Sequence, residues 1–227
     1  MANEDHPEET RDSAITAEEL DAILSTKSVP PDHRSGFVGI VGKPNVGKST
    51  LLNAYLGEKL SIVTPKPQTT RDRITGILTL PERAQLIFLD TPGIHQPRHS
   101  LDEYMSETVV DVVKDADLLL FLVDGSEQPS DEDRYIATLL KRHNAAPVVL
   151  VLNKIDLVVP EEVEPRRRVY QNLLKADQTL TLSATTGTNQ EQLLDLIGDL
   201  LPEGPMYYPP DQISDQQERQ IAAELVR

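Results

Sequence analysis

A glycine-rich stretch near residue 45 constrains the fold of this chain more than any other feature. Eight consecutive residues form a complete G-x-x-x-x-G-K-S pattern: Gly42, Lys43, Pro44, Asn45, Val46, Gly47, Lys48 and Ser49. An apolar run over 37–41 precedes the pattern, and a segment of helical character over 49–56, with Thr50 as its second residue, follows it. A strand, a glycine-rich loop and a helix in this order predict a phosphate-binding loop in an α/β domain.

Each residue type in this loop suits the binding of phosphate groups. Glycines let consecutive backbone N–H groups point at phosphate oxygens, and the N-terminus of the following helix adds positive partial charge. We expect Lys48 to reach the β- and γ-phosphates of a nucleotide and the hydroxyl of Ser49 to bind Mg²⁺. The alternative is an ordinary glycine-rich turn, which the flanking strand and helix disfavour.

Downstream of the loop, strand-like apolar runs alternate with amphipathic helical segments, which predicts a layered α/β domain. Predicted strands cover 37–42, 73–80, 84–90, 117–124, 147–153 and 179–183, and predicted helices cover 48–57, 101–114, 130–143, 161–175 and 189–201. Only Pro81, Glu82 and Arg83 separate the second and third strands, so these two form an antiparallel hairpin, and the other connections are right-handed crossovers. The expected fold is a mostly parallel six-stranded sheet with one antiparallel strand and helices on both faces.

Composition excludes several classes of function. A formal net charge of −15 counts against nucleic-acid binding through a broad basic surface, because neutralising phosphates requires clustered Lys and Arg. With no cysteine, the chain has no disulfide, thiolate metal site or cysteine nucleophile. The longest apolar runs, 118–123 and 147–152, have the length of strands and are far too short to span a bilayer.

The chain divides into three expected parts. Residues 1–35 are acidic and contain proline, so we expect a mostly disordered, solvated extension; the alternative is that a short helix over 16–24 docks on a partner. Residues 36–202 form the α/β domain. Residues 203–227 contain an extended linker and then a predicted helix that reaches the chain end, with apolar residues for which the sequence supplies no packing partner. We therefore expect the chain to be cut there.

Four residues end the third predicted strand: Asp90, Thr91, Pro92 and Gly93. A carboxylate at the C-terminal edge of this strand can face the phosphate loop. We expect Asp90 to hold Mg²⁺ through water and the N–H of Gly93 to sense the γ-phosphate. The alternative is a simple D-x-x-G turn, which is common in unrelated proteins.

A second motif at a strand end identifies the base that the site would read. Asn153, Lys154, Ile155 and Asp156 follow the apolar run 148–152. The Asp156 carboxylate can accept from N1–H and the exocyclic amine of guanine together, and adenine presents no such donor pair. We expect Lys154 to lie along the base and Asn153 to tie neighbouring loops together. A polar turn that caps the next helix is the alternative.

The last predicted strand ends in Ser183, Ala184 and Thr185. We expect the backbone N–H of Ala184 to donate to guanine O6. Taken alone this triplet is weak evidence, because Ser183 could equally be a turn residue at a strand end. The order of the preceding motifs is what makes it specific.

The polar, proline-bearing loop 60–72 lies between the first helix and the hairpin. A loop that supplies a hydroxyl to Mg²⁺ only when the γ-phosphate is present acts as a switch. Thr70 is the preferred source of that hydroxyl, with Thr69 as the competing choice and a purely structural loop as the other alternative. The expected protein ligands of the metal are therefore Ser49, Thr70 and Asp90.

Together these motifs resemble those of the Era family of bacterial ribosome-assembly GTPases, over about residues 35–227. The resemblance is carried by GKPNVGKSTLLN at 42–53, PQTTR at 67–71, DTPGIH at 90–95, NKID at 153–156 and SAT at 183–185. QTTR at 68–71 and YPPD at 208–211 favour this family over relatives that share the general nucleotide motifs. The acidic extension departs from the short start that is usual in the family.

The resemblance implies a P-loop NTPase G domain that binds GTP and GDP and hydrolyses GTP with Mg²⁺. It further implies a switch in small ribosomal subunit assembly and rRNA maturation, with rRNA bound by a C-terminal KH domain of which 215–227 resembles the first helix. A monomer in the cytoplasm, with peripheral association at the inner face of the cell membrane, is also implied. The alternatives are an RNA-binding assembly factor in which GTP only times release, and a nucleotide-binding module without hydrolysis.

The residue after the D-x-x-G turn bears on the mechanism. In many GTPases a glutamine there orients the attacking water, but here it is Ile94, which cannot hydrogen-bond water. Relatives with an aliphatic residue at this position commonly use K⁺, held partly by the asparagine of the phosphate loop, which is Asn45 here. His95, one position on, could act as a base, and the alternative is a solvent-facing loop histidine. The catalytic groups implied are Lys48, Asn45, Thr70 and Gly93.

Overall fold

The computed structural model describes residue 30 and the ranges 32–57, 74–81, 83–91, 109–143 and 145–210. Several predictions fall outside the described residues: the extension before residue 30, the loop with Thr69 and Thr70, residues 92–95 and the C-terminal helix 215–227. The side chain of Asp90 lies outside them as well. The division of the chain into three parts therefore stays a prediction.

Strands and helices alternate through the described ranges. The strands are β1 (Arg34–Val41), β2 (Ile74–Leu80), β3 (Ala84–Asp90), β4 (Leu118–Asp124), β5 (Val148–Asn153) and β6 (Gln178–Thr181). The helices are α1 (Lys48–Leu56), α2 (109–115 in its described part), α3 (Asp131–His143), α4 (Pro160–Gln171) and α5 (Gln190–Leu200), with a 3₁₀ turn at Ile155–Leu157. None of these helices is long and apolar enough to span a membrane.

Within the described residues, three element ends differ from the predicted ones by more than one residue. β1 begins at Arg34 rather than at 37, because Arg34 already pairs with Ala84 of β3. α4 ends at Gln171 rather than at 175, where Leu173 N–H bonds back to Tyr170 in a tighter turn. β6 ends at Thr181 rather than at 183 because the chain there turns into the following loop.

All six strands belong to one sheet, in the order β2-β3-β1-β4-β5-β6. β2 is antiparallel to β3, and the other neighbouring strands are parallel. This confirms the predicted sheet with a single antiparallel strand. Because the parallel strands end at the same edge, the loops that follow β1, β3, β4 and β5 meet there.

Both faces of the sheet are covered by helices, as predicted. β4 shows why, since all seven of its residues are buried and the side chains of its six apolar residues alternate between two apolar clusters. Its even-numbered leucines pack in a cluster with α1 and α5, and its odd-numbered residues pack in a second cluster with α2, α3 and α4. A parallel strand without a polar face is stable only between two layers of helices.

The linker after α5 is fastened to the amino ends of β1 and β3. Gln85 is fully buried, and its Oε1 accepts from the backbone N–H groups of Tyr207 and Tyr208 at 2.8 and 2.9 Å. Its Nε2 donates to the Tyr208 carbonyl at 2.8 Å. Ser35 Oγ donates to the Pro205 carbonyl at 2.6 Å. Residues 203–210 form neither a helix nor a strand, and these contacts give the segment a fixed course.

Replacing Gln85 with leucine should loosen the linker. The change leaves the N–H groups of Tyr207 and Tyr208 without their acceptor. The free energy of unfolding, measured by urea denaturation, should therefore fall by about 1–3 kcal/mol. Limited proteolysis should cut the linker at 203–208 faster than in the parent. Gln178→Leu, at an exposed position on the edge strand β6, is the control. Equal stability and equal cleavage rates for Gln85→Leu and the parent would contradict this role of Gln85.

Candidate nucleotide-binding site

The glycine-rich loop connects β1 to α1 and has no space for side chains at its two motif glycines. Gly47 has a left-handed backbone with φ 98° and ψ 24°, and a Cβ there would overlap the amide nitrogen of Asn153. A Cβ at Gly42 would overlap the carbonyl oxygen of Leu122. The loop therefore lies directly against the ends of β4 and β5, and glycine is required at both positions.

Lys48, the first residue of α1, places an ammonium group within this loop. Its side chain is buried, and Nζ donates to the carbonyl oxygens of Gly42 and Lys43, each at 3.0 Å. Val46 is fully buried and anchors the middle of the loop in the core. Ser49 is half-buried at the second position of α1. A lysine fixed at a helix N-terminus in this way suits the binding of phosphate.

The side chain of Lys43 connects the phosphate loop to the loop after β4. Its Nζ lies 2.8 Å from Glu127 Oε2 and 3.4 Å from Asp133 Oδ2. Burial alone would lower the pKa of Lys43, but the two carboxylates outweigh burial and raise it. Asp133 is fully buried and accepts from Ser130 N and Oγ at the start of α3. Sequence analysis missed this link, although S-x-x-D at 130–133 signals a helix cap.

The end of β3 lies beside the end of β1, where the phosphate loop begins. Asp90 is the Cα partner of Ile40 in the parallel ladder. The next residue, Thr91, is buried, and its Oγ1 donates to the Ile40 carbonyl at 2.7 Å. Asp90 thus lies opposite Ile40, two residues before the phosphate loop begins at Gly42. The role of Asp90 as a metal ligand stays a prediction.

Asn153 holds three loops together, as the sequence predicted. Its side chain is 2% exposed. Nδ2 donates to the Val46 carbonyl in the phosphate loop at 2.7 Å, and Oδ1 accepts from the Ala184 N–H at 2.9 Å. The same N–H was expected to donate to guanine O6. In the structure it donates to Asn153 instead, so the guanine contact stays a prediction and would have to share this donor.

Lys154 and Asp124 form an ion pair that sequence analysis did not anticipate. Lys154 has a left-handed backbone with φ 63°, and its Nζ lies 2.6 Å from Asp124 Oδ2 at the end of β4. Asp124 also accepts from Ser126 N at 2.9 Å. Burial alone would raise the pKa of Asp124, but the hydrogen bonds from Lys154 and Ser126 outweigh it and hold the pKa below its ordinary value. The only sequence signal was an acid at the end of an apolar strand.

The remaining base-site residues differ in exposure. Ile155 and Asp156 lie in the 3₁₀ turn after β5, where Asp156 is exposed to solvent, as a carboxylate that reads a ligand must be. Ser183 is fully buried, and its Oγ accepts from Thr186 N at 3.1 Å. Ser183 therefore acts in a turn, which was the alternative given for it. Thr185 is exposed in the same loop.

Within the described residues, three of the predicted motifs meet at the carboxyl edge of the sheet. They are the phosphate loop 42–49, the segment 153–156 and the segment 183–185, and β3 ends at the same edge. The arrangement can bind a base and a phosphate chain at once. Outside the described residues lie Thr70, Pro92, Gly93, Ile94 and His95.

A family model described as "50S ribosome-binding GTPase" matches residues 37–154. This range begins in β1 and extends through the phosphate loop to Lys154. Among curated proteins, GTPase Era of Clostridium botulinum (strain Langeland / NCTC 10281 / Type F) is 51% identical over 194 residues. That match covers 86% of this chain and 65% of the relative.

Two solved structures of Era are also similar to this chain. Era in complex with MgGDPNP and nucleotides 1506–1542 of 16S ribosomal RNA is 41% identical with a TM-score of 0.80, over 86% of this chain and 66% of that one. An Aquifex aeolicus Era variant bound to GDP·AlF4⁻ is 40% identical with a TM-score of 0.79, over 85% and 65%. This chain thus spans about two thirds of the length of these relatives. It belongs to the family of 50S ribosome-binding GTPases and, within that family, to the Era type.

Proposed function

We propose that this chain binds GTP and GDP and hydrolyses GTP as the nucleotide-dependent switch of an Era-type protein. The observation that carries the proposal is the double hydrogen bond of Asn153, which ties the N-K-I-D segment to both the phosphate loop and the S-A-T loop. A guanine nucleotide bound here has its base at Asp156 and its phosphates at Lys48. The solved relatives hold guanine nucleotides, which supports this reading.

The residues of the site fit Mg²⁺ together with a nucleotide. Both motif glycines lie where a side chain would overlap neighbouring atoms, which leaves the cradle open, and Ser49 follows Lys48 at the start of α1. Ser49, Thr70 and Asp90 would hold the metal. When bound, Mg²⁺ supplies positive charge that neutralises the phosphate oxygens. The complex of Era with MgGDPNP supports the choice of metal.

The proposed hydrolysis uses no glutamine, because Ile94 occupies that position. Lys48 would stabilise charge on the β- and γ-phosphates, and the N–H of Gly93 and the hydroxyl of Thr70 would contact the γ-phosphate and its metal. Asn45 is exposed and has a left-handed backbone with φ 61°, at the middle of the phosphate loop. We assign it as a ligand of K⁺, which supplies the charge that an arginine finger gives elsewhere.

The proposed biological role is assembly of the small ribosomal subunit and maturation of its rRNA. The family description names the 50S subunit, but the Era complex contains a 16S rRNA segment, and 16S rRNA belongs to the small subunit. The net charge of −15 favours rRNA contact through a KH domain rather than through this domain. An RNA-binding factor in which GTP only times release is the competing proposal. Monomeric state, cytoplasmic location and peripheral membrane association are further proposals.

Asp156→Asn should change the base that the site accepts. The amide keeps only one acceptor for the two donors of guanine and gains a donor that matches the 2-oxo group of xanthine, so GTP affinity should fall by a few kcal/mol and xanthosine triphosphate should bind. Calorimetric titration with both nucleotides measures the exchange. Asp199→Asn, at an exposed position on α5, should leave both affinities unchanged. A variant that binds GTP like the parent and ignores xanthosine triphosphate would refute the assignment of Asp156.

Lys48→Ala should lower the rate of GTP hydrolysis by about 10²–10³-fold, because one fixed positive donor to the phosphates is lost. Its far-UV circular dichroism should match that of the parent. Lys141→Ala, which removes an exposed lysine from the last turn of α3, is the matched control and should retain the parental rate. Unchanged turnover and nucleotide affinity in Lys48→Ala would end the phosphate-loop assignment.

Exchange of K⁺ for Na⁺ at constant ionic strength should slow GTP turnover markedly in the parent. In Asn45→Ala the same exchange should have little effect, because the variant lacks the side chain proposed to hold K⁺. Rates are compared by phosphate release at saturating GTP and Mg²⁺. Equal parental rates in both salts would rule out the use of K⁺ while leaving the GTPase proposal intact.

A further inference from the structure

Asp124 lies at the carboxyl end of β4, between the phosphate loop and the base-reading segment, and uses both of its carboxylate oxygens. Oδ2 contacts Lys154 Nζ at 2.6 Å, whereas Oδ1 accepts from Ser126 N at 2.9 Å and from Ser126 Oγ. The Asp124 side chain is 6% exposed, and that of Lys154 is 29% exposed. The pair is therefore partly desolvated, unlike an ion pair on an open surface.

The two carboxylate oxygens of Asp124 have different partners. An Asx turn requires only one oxygen, and here Oδ1 accepts the turn hydrogen bond from Ser126 N. The other oxygen holds a lysine that is 30 residues away in sequence. A free lysine side chain has about 2 kcal/mol of rotamer entropy to lose on being ordered. A lysine that is already held when the nucleotide arrives loses less of it.

Helix α4 braces the loop that carries Asp124. Tyr170 is fully buried, and its hydroxyl donates to the Asp124 carbonyl at 3.0 Å. Arg166 Nη1 donates to the Ser126 carbonyl at 3.2 Å. These contacts hold the backbone at Asp124 and at Ser126 through protein atoms alone.

We propose that Asp124 is a positioning residue for guanine binding, which acts by holding the Lys154 side chain in the orientation that packs along the base. The inference rests on the proposed function, because it assumes that guanine nucleotides bind at Asp156. It adds to the site a residue that lies outside every nucleotide motif of the sequence. Asp124 would raise affinity equally for GTP, GDP and the transition state, since the base does not change during hydrolysis.

A double-mutant cycle tests whether Asp124 works through Lys154. In Asp124→Asn, the amide oxygen can still accept from Ser126, but the amide nitrogen faces the lysine ammonium, donor against donor. GDP affinity should fall about tenfold, as for the loss of a charge-assisted contact. In a Lys154→Met background the same change should alter GDP affinity less than twofold, because the lysine on which it acts is gone.

Kinetics and a conservative variant separate positioning from a purely structural role. Asp124→Asn should raise KM for GTP about tenfold with kcat unchanged. Asp124→Glu retains the negative charge, so its GDP affinity should lie between those of Asp124→Asn and the parent. If Asp124→Asn does not fold, Asp124→Glu enters the cycle in its place. Glu164→Gln, an exposed carboxylate on α4 that pairs with Arg167 and Arg168, is the control and should match the parent.

Three results would overturn the proposal. The loss of GDP affinity could be the same in the parental and Lys154→Met backgrounds, kcat could fall as much as KM rises, or Asp124→Glu could bind GDP more weakly than Asp124→Asn. Failure of the proposed function would look different. In that case the parent itself would not bind GDP, and the cycle would have no starting affinity.

Discussion

The buried amide of Asn153 is the contact on which the nucleotide site depends. One planar group donates to the phosphate loop and accepts from the loop after β6. The amide offers a donor to one loop and an acceptor to the other, and aspartate in its place would set an acceptor oxygen against the Val46 carbonyl. An unsatisfied buried polar group costs about 1–3 kcal/mol, so both partner loops are held in register. The same contact requires glycine at position 47, because any side chain there would overlap the Asn153 amide.

The sheet gives these loops a rigid base. β4 and β5 are buried along their whole length, and their carboxyl ends carry Asp124 and Asn153 as Cα partners in the parallel ladder. Two adjacent strand ends therefore supply one residue that orients Lys154 and one that joins the phosphate loop. The close packing of both apolar clusters keeps the two strand ends at a fixed separation. The predicted nucleotide-contacting residues lie mostly on loops, and the paired strand ends of β4 and β5 fix where those loops begin.

Patterns in the sequence predicted whatever depends on local spacing. The strand, loop and helix around the glycine-rich motif, the sheet with one antiparallel strand and the bridging contacts of Asn153 are confirmed, because each follows from residue types at the end of an apolar run. Contacts between distant segments could not be found in this way. Lys43 and Glu127 are 84 residues apart, and Gln85 and Tyr208 are 123 apart. Nor could spacing show that the Ala184 N–H already has an acceptor within the protein.

The linker contacts the sheet at the edge opposite the nucleotide site, which limits how a bound nucleotide can change the conformation of the linker. Gln85, which holds the linker, lies near the amino end of β3, and Asp90 is at its carboxyl end. Asp90 lies five residue steps along the strand from Gln85, which is about 17 Å at roughly 3.3 Å per residue. β3 is paired along its length with β1 on one side and β2 on the other, so it does not lengthen or slip alone. An effect of nucleotide on the linker must therefore travel with the sheet as a unit or around it through the connecting segments.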